Sequence, residues 1–159
     1  MAQYQKGSPT YSDWSSLING MNAVCKIILS EDVAPVATEI LKRHIEQDIY
    51  GAYTPAENGW VGGQTYERRN SLLNSPFHKR FVGKNEILIT SSARPSPPVI
   101  KGSVFEYRQP GAFLEMIERG NMGIWKKGFP RPAVSNAQNE INNSSEILRV
   151  IEHGISIRF

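Results

Sequence analysis

The two residues best placed to bind a metal are His44 and Asp48, which lie four positions apart in one predicted helix. Side chains at this spacing share a helix face, so an imidazole and a carboxylate could supply two ligands. A third or fourth ligand at a recognisable spacing is missing, since His78 and His153 are isolated in the sequence. We therefore interpret His44 and Asp48 as a polar pair at the rim of the core, in which Asp48 orients the His44 ring, and we expect no metal.

Other patterns that could support catalysis are weak. The segment 58–63 is rich in glycine but lacks the Gly-Lys-Ser/Thr sequence of a phosphate-binding loop. We interpret it as a mobile loop that exposes the aromatic ring of Trp60. Glu106, Glu115 and Glu118 are not spaced as a catalytic carboxylate pair. The sequence therefore predicts a protein that is not an enzyme and that needs no cofactor.

Two short segments combine cations with aromatic residues and could bind a partner. Residues 66–75 contain two adjacent arginines beside a tyrosine and a Leu-Leu pair, and adjacent guanidinium groups suit carboxylates or phosphates. Residues 125–129 place two lysines between two aromatic residues on a predicted loop. The alternatives are a solvated turn anchored by its leucines and a loop that simply faces solvent. The candidate partner-binding residues are Trp60, Arg68, Arg69, Trp125, Lys126 and Lys127.

The composition indicates an ordinary globular chain. It has 159 residues, of which 40% are hydrophobic, and a formal net charge of +3, which is too weak to indicate a dedicated nucleic-acid-binding protein. Cys25 is the single cysteine, so no intrachain disulfide can form, and its apolar neighbours predict a buried thiol. No apolar run approaches the roughly 18 residues of a membrane span. We expect a soluble protein made in the cytoplasm.

The first half of the chain shows helical patterns. We expect residues 1–12 to form a flexible arm, and Asp13 or Ser12 to cap a helix that begins at Trp14. Residues 30–35 predict a break or kink, with Asp32 capping a longer helix from Val33 to Tyr50 that carries Glu39–Arg43 and Lys42–Glu46 pairs. Apolar residues recur at helical spacing in the first helix: Leu17, Ile18, Met21, Val24, Cys25, Ile28 and Leu29.

The second half mixes strands and helices. Residues 51–65 predict a loop, whereas residues 86–90 and 99–108 predict strands. Residues 113–119 fit either a helical turn or a strand. A helix is predicted from Ala133 to about Glu152, with Gly154 placed to end it and the alternating residues 155–159 forming a last edge strand.

The order of these elements carries a family resemblance. Tyr66-Glu-Arg68-Arg69-Asn-Ser-Leu72-Leu-Asn-Ser75 is followed by Ile117-Glu118-Arg-Gly120 and then by Phe129-Pro-Arg-Pro-Ala133. This sequence of motifs resembles the neck and tail-completion protein family of long-tailed bacteriophages, over roughly residues 33–148. The family usually has Arg-Thr-Gly where this chain has Arg68, Arg69 and Asn70.

The resemblance implies an α+β fold, with long helices packed on one face of a small antiparallel sheet and extended loops. The length of the chain predicts a single domain over residues 13–159. The resemblance also implies a virion protein at the head–tail joint, bound to other neck and tail proteins. Copies would form a ring around the channel for packaged DNA and could touch that DNA without reading its sequence. Two alternatives remain open: a small phage-encoded protein that inhibits a host factor, and a metal-dependent nuclease.

Overall fold

The computed structural model describes residues 12–52, 60–61, 64–65, 71–93, 112–119 and 130–158. Residues 14–50 are helical throughout and comprise helix α1 (Trp14–Ile27), the π-helical segment π1 (Ile28–Val33), helix α2 (Ala34–His44) and the π-helical segment π2 (Ile45–Tyr50). The Asp13 carboxylate accepts a hydrogen bond of 2.8 Å from the backbone N–H of Ser16. It thereby satisfies one of the free amides of the first turn, which confirms the predicted start of α1.

At residues 30–35, where a break or kink is expected, the helix is not interrupted. The chain widens into π1 at this point and continues as α2, with Pro35 exposed in the first turn of α2. A proline ring would clash with the carbonyl four residues earlier in a regular α-helix, and a widened turn relieves that clash. Asp32 consequently lies inside a helical segment and does not cap the next helix.

Two small sheets and one short helix follow. Strands β1 (Trp60–Val61) and β2 (Gln64–Thr65) pair antiparallel, with Trp60 opposite Thr65. The predicted loop over residues 51–65 therefore contains a short hairpin. After helix α3 (Ser71–Asn74), strands β3 (Phe77–Phe81) and β4 (Ile87–Ser91) form a second two-stranded sheet, and β4 confirms the strand predicted at residues 86–90. The predicted strand at 99–108 lies outside the described residues.

The C-terminal part is helical and corrects two expectations. Helix α4 (Ala112–Glu118) forms in the segment whose sequence fits either a helical turn or a strand. Helices α5 (Ala133–Asn143) and α6 (Ser145–Arg158) replace the single helix predicted from Ala133, and α6 also replaces the edge strand predicted at residues 155–159. Helices α5 and α6 are separate because the chain leaves helical geometry at Ser144, whose hydroxyl accepts from the N–H of Ile147 at 3.4 Å. Gly154 does not end a helix, since it lies buried within α6.

The chain divides into two compact units, with residues 12–37, 79–88 and 144–158 in the first and the other described residues in the second. In the first unit, α6 packs on π1 beside Gly154, and the Arg158 guanidinium donates to the Asp32 carboxylate at 2.6 and 3.2 Å. Its buried apolar residues are Val24, Ile28, Val33, Ala34, Ala37 and Ile147. A single domain over residues 13–159 stays a prediction.

The second unit is built on the C-terminal part of α2, π2, α3, α4 and α5. The Glu118 carboxylate at the end of α4 accepts hydrogen bonds from the N–H groups of Val134 and Ser135, at 2.8 and 3.0 Å, and from the Ser135 hydroxyl at 2.5 Å. It thus caps the first turn of α5. Buried apolar residues in this unit are Ile40, Leu41, Ile45, Ile49, Leu72, Ala93, Leu114, Ile117, Ala133 and Ala137.

The combination of many helices with small antiparallel hairpins is an α+β fold, as predicted. In the part of the chain that the structure describes, none of the helices has the length and apolar character of a bilayer-crossing segment.

Candidate functional site

The residues predicted to bind a partner fall almost entirely outside the described ranges. Trp60 begins strand β1, where its backbone pairs with Thr65. The other five candidates lie outside the described residues: Arg68, Arg69, Trp125, Lys126 and Lys127.

His44 lies at the centre of a polar cluster in the second unit. Its Nδ1 atom is 2.9 Å from Asp48 Oδ2, and its Nε2 atom is 2.9 Å from Glu140 Oε2. The Asn136 amide donates to Asp48 at 2.9 Å, and the Arg43 guanidinium donates to Glu140. Asp48 therefore orients the His44 ring, as predicted, and the cluster connects α2 and π2 to α5.

The charges of this cluster are satisfied within the protein. Burial acts to raise the pKa of Asp48, but the hydrogen bonds from Asn136 and His44 outweigh it, and the pKa lies below its ordinary value. The hydrogen bonds from Arg43 and His44 likewise lower the pKa of Glu140. No group of three or more His, Cys, Asp or Glu side chains within the described ranges could hold a metal ion. The hydrogen bonds of this cluster hold side chains of α2, π2 and α5 together.

Helix α1 exposes a row of large apolar side chains. Trp14, Ile18 and Met21 are 80%, 54% and 46% exposed, and they lie on one face because they are spaced at four and three residues. We call these three residues the α1 stripe. Lys26 is the one charged residue within Trp14–Ile27, whereas a helix face in contact with water is normally rich in charge. Such a face is typical of a surface that another protein covers.

A shallow cationic cleft lies on another side of α1, away from the α1 stripe. It has a volume of about 320 Å³ and is lined by Asn19, Asn22, Ala23, Lys26 and Lys84. Lys84 lies in the turn between β3 and β4, and no carboxylate lines the cleft. The cleft can therefore accept an anionic group.

The Lys26 ammonium also lies 5.9 Å from the centroid of the Phe81 ring. A cation at this distance from an aromatic face is attracted to it, which places the Lys26 charge next to the β3–β4 turn.

Sequence reasoning missed the α1 stripe because it grouped all apolar residues of the first helix together. Val24 and Ile28 are buried, but Ile18 and Met21 of the same pattern point to solvent. One signal in the sequence could have revealed this difference. A single charge in fourteen helical residues leaves too few polar side chains to cover the face opposite the core.

Comparisons with known proteins place the chain in a family. The sequence model of the family described as YomN matches residues 13–156, which is nearly the whole chain. No curated protein and no solved structure matches the chain significantly. The protein thus belongs to the YomN family, which is a phage-associated family.

Proposed function

We propose that this chain is a structural morphogenesis protein of the phage neck or tail-completion type, which joins the tail to the head-side connector. In this role it works by forming interfaces, without turnover and without a cofactor. Copies of the chain form a ring around the DNA channel and remain in the finished virion. The proposal combines membership of a phage-associated family with the motif order that resembles neck and tail-completion proteins.

The observation that carries the proposal is the α1 stripe. Burying an aromatic side chain such as that of Trp14 removes about 150–250 Å² from water, and apolar burial contributes roughly 25 cal/mol per Å². Leaving Trp14, Ile18 and Met21 in solvent therefore forgoes several kcal/mol, on the order of what a protein contact gains from them. A surface of this kind suits a protein whose role is to be covered by others.

The candidate loop residues have roles within the same proposal. Arg68 and Arg69 would bind carboxylates of neighbouring neck and tail proteins, and Trp60 and Trp125 would anchor those contacts. Lys126 and Lys127 would touch the phosphates of packaged DNA as it passes through the channel.

Quantitative mass spectrometry of gradient-purified phage particles tests the proposed location. A small and constant number of copies per particle would support it. A chain that is abundant in infected cells but absent from intact particles would contradict it. That outcome would favour the alternative, a small binding protein that inhibits a host factor.

Replacing Arg68 and Arg69 together with Ala tests the proposed contacts. We expect the thermal unfolding temperature to stay unchanged and the incorporation into particles to fall. A matched control is the double replacement of Lys42 and Arg119 with Ala, which removes the same charge from two solvent-facing ion pairs, one on α2 and one at the end of α4. A large loss of thermal stability in the Arg68/Arg69 variant, but not in the control, would show that these arginines are structural.

A further inference from the structure

The cationic cleft lies between α1 and the turn of the β3–β4 hairpin, within the first unit. Its α1 side consists of Asn19, Asn22, Ala23 and Lys26, and its hairpin side consists of Lys84. The four residues of α1 share one helix face, because they are spaced at three and four residues. The described lining therefore presents two ammonium groups and two amide groups around one methyl group.

The two ammonium groups of the cleft are not neutralised within the part of the chain that the structure describes. No described carboxylate lies within ion-pair distance of Lys26 or Lys84, and both residues are exposed. Lys26 is the one charged residue of α1, whereas the hairpin over residues 77–91 has three Lys or Arg residues and one carboxylate. Both walls of the cleft thus carry net positive charge, which attracts anions.

A third lysine extends this charge along the helix. Lys79 and Phe81 lie on the same side of β3, because they are two residues apart in a strand. The Phe81 ring lies beside Lys26, and the Lys79 ammonium donates to the carbonyl of Ser30, one helical turn beyond Lys26. From Asn19 to Ser30 the helix is about 16 Å long, whereas successive phosphates of one DNA strand are about 3.4 Å apart along the axis. The row therefore matches several phosphates and not a single one.

We propose that the cationic cleft binds the phosphate backbone of duplex DNA. Lys26 and Lys84 contact phosphate oxygens, and the amides of Asn19 and Asn22 donate hydrogen bonds to them. Lysine ammonium groups bind phosphates as point charges, and contacts of this kind carry no sequence information. This inference rests on the proposed function, in which packaged DNA passes the chain, and it assigns a surface of the first unit to that contact.

Duplex DNA fits this cleft better than an acidic protein segment does. A protein partner gains most of its binding energy from aromatic or arginine side chains that fill pockets. The cleft is shallow, and the one apolar residue in its described lining is Ala23. A phosphate backbone requires only positive charge and hydrogen-bond donors, which the lysines and asparagines supply.

Fluorescence anisotropy with a labelled DNA duplex, measured over a series of salt concentrations, tests this assignment. The variant Lys26→Gln/Lys84→Gln of the full chain removes both charges and keeps polar side chains at both positions. Its affinity should be lower than that of the wild type. The slope of log Kd against log salt concentration should decrease by about 2, roughly one for each lost phosphate contact. Two duplexes of unrelated sequence should give the same result, because the contacts are to the backbone.

The matched control is Arg80→Gln/Arg149→Gln. It removes the same charge from two exposed residues of the first unit that do not line the cleft. The control should keep the salt dependence of the wild type, and both double variants should unfold near the wild-type temperature, because all four positions are exposed. An equal loss of affinity in the two double variants would show that binding follows net charge alone, and the assigned site would be wrong. A wild-type chain that does not bind the duplex also overturns it.

Two further measurements separate the alternatives. Poly-glutamate replaces the duplex as a probe for an acidic protein partner. If poly-glutamate binds through Lys26 and Lys84 and the duplex does not, the proposal is wrong. The composition of purified particles tests the neck role independently. Duplex binding through the cleft by a chain that is absent from particles would refute the neck role alone, whereas a chain that is present in particles but does not bind the duplex would refute this site alone.

Discussion

Gly154→Ala should destabilise the protein, although the same substitution in an ordinary helix is stabilising. A Cβ atom added at Gly154 would lie 2.9 Å from Ile28 Cγ1, 2.9 Å from Asp32 Oδ2 and 3.1 Å from Ile28 Cγ2. The Asp32 carboxylate is held by Arg158, and Ile28 is buried in the core of the first unit. Neither neighbour can therefore move away without losing a contact.

The expected size follows from two opposing effects. Alanine is favoured over glycine in a helix by about 0.8–1 kcal/mol. Forcing an extra methyl group into a packed contact costs about 1–3 kcal/mol. The net effect is a loss of roughly 1 kcal/mol in the free energy of unfolding, with about 2 kcal/mol as the upper end. For a chain of this length, 1 kcal/mol lowers the unfolding temperature by about 2–4 °C.

Urea denaturation and differential scanning calorimetry would measure this loss. Gly83→Ala is the matched control, because the nearest heavy atom to its added Cβ is Glu86 Cβ at 4.0 Å. That variant should lie within about 0.5 kcal/mol of the wild type.

The Ile28→Ala background provides a second check on the cause. It removes both γ-carbons that the new methyl group would meet and leaves the close contact with Asp32 Oδ2, so the loss of stability caused by Gly154→Ala should be smaller in this background. A Gly154→Ala protein more stable than the wild type, or a penalty unchanged in the Ile28→Ala background, would refute this account of how α6 packs on π1.

Three further predictions concern polar contacts. Asp48 and Glu140 have folded pKa values below the ordinary 3.8 and 4.5. They therefore stabilise the folded protein at a pH above those ordinary values, and this contribution is lost as the pH falls through the folded pKa. The free energy of unfolding should fall less steeply with decreasing pH for Asp48→Asn than for the wild type, and identical curves would contradict this. Glu118→Ala should cost about 1–2 kcal/mol by uncapping α5, and Glu118→Gln should cost less because its amide oxygen can still accept. Arg158→Gln should cost about 1–3 kcal/mol because it leaves the half-buried Asp32 carboxylate without its cation; chemical denaturation checks both, and no measurable loss would show that these contacts are not structural.

Local signals in the sequence predicted local structure well. The start of α1 was predictable because an N-cap aspartate and the amide it binds lie within three residues of each other. The His44–Asp48 pair was predictable because helical spacing brings residues four apart together. Strand β4 was predictable from its run of β-branched and apolar residues.

The predictions were wrong or incomplete where the role of a residue depends on contacts with residues far away in the sequence. By local rules, Gly154 predicts the end of a helix. In the structure, glycine is needed there because Ile28 and Asp32, more than a hundred residues earlier in the chain, lie too close to leave room for a side chain. Glu140 completes the His44 cluster from a different helix, and no local spacing relates the two. The α1 stripe was missed because periodicity shows that a face is apolar and does not show what covers it.

The π-helical segment π2 gives the chain a place where its length can change. A π-helical turn accommodates one residue more than an α-helical path, whereas each residue of a regular α-helix turns the helix by about 100°. Deleting one residue within π2, such as Gln47, would let this turn wind as a regular α-helix while the residues after it keep their register. Ile49 would then stay in the core, and the Tyr50 hydroxyl would stay near the N–H of Leu72, to which it is bonded at 3.1 Å. Loss of one residue here is therefore less damaging than the same loss within α1 or α2, where every later residue would be rotated.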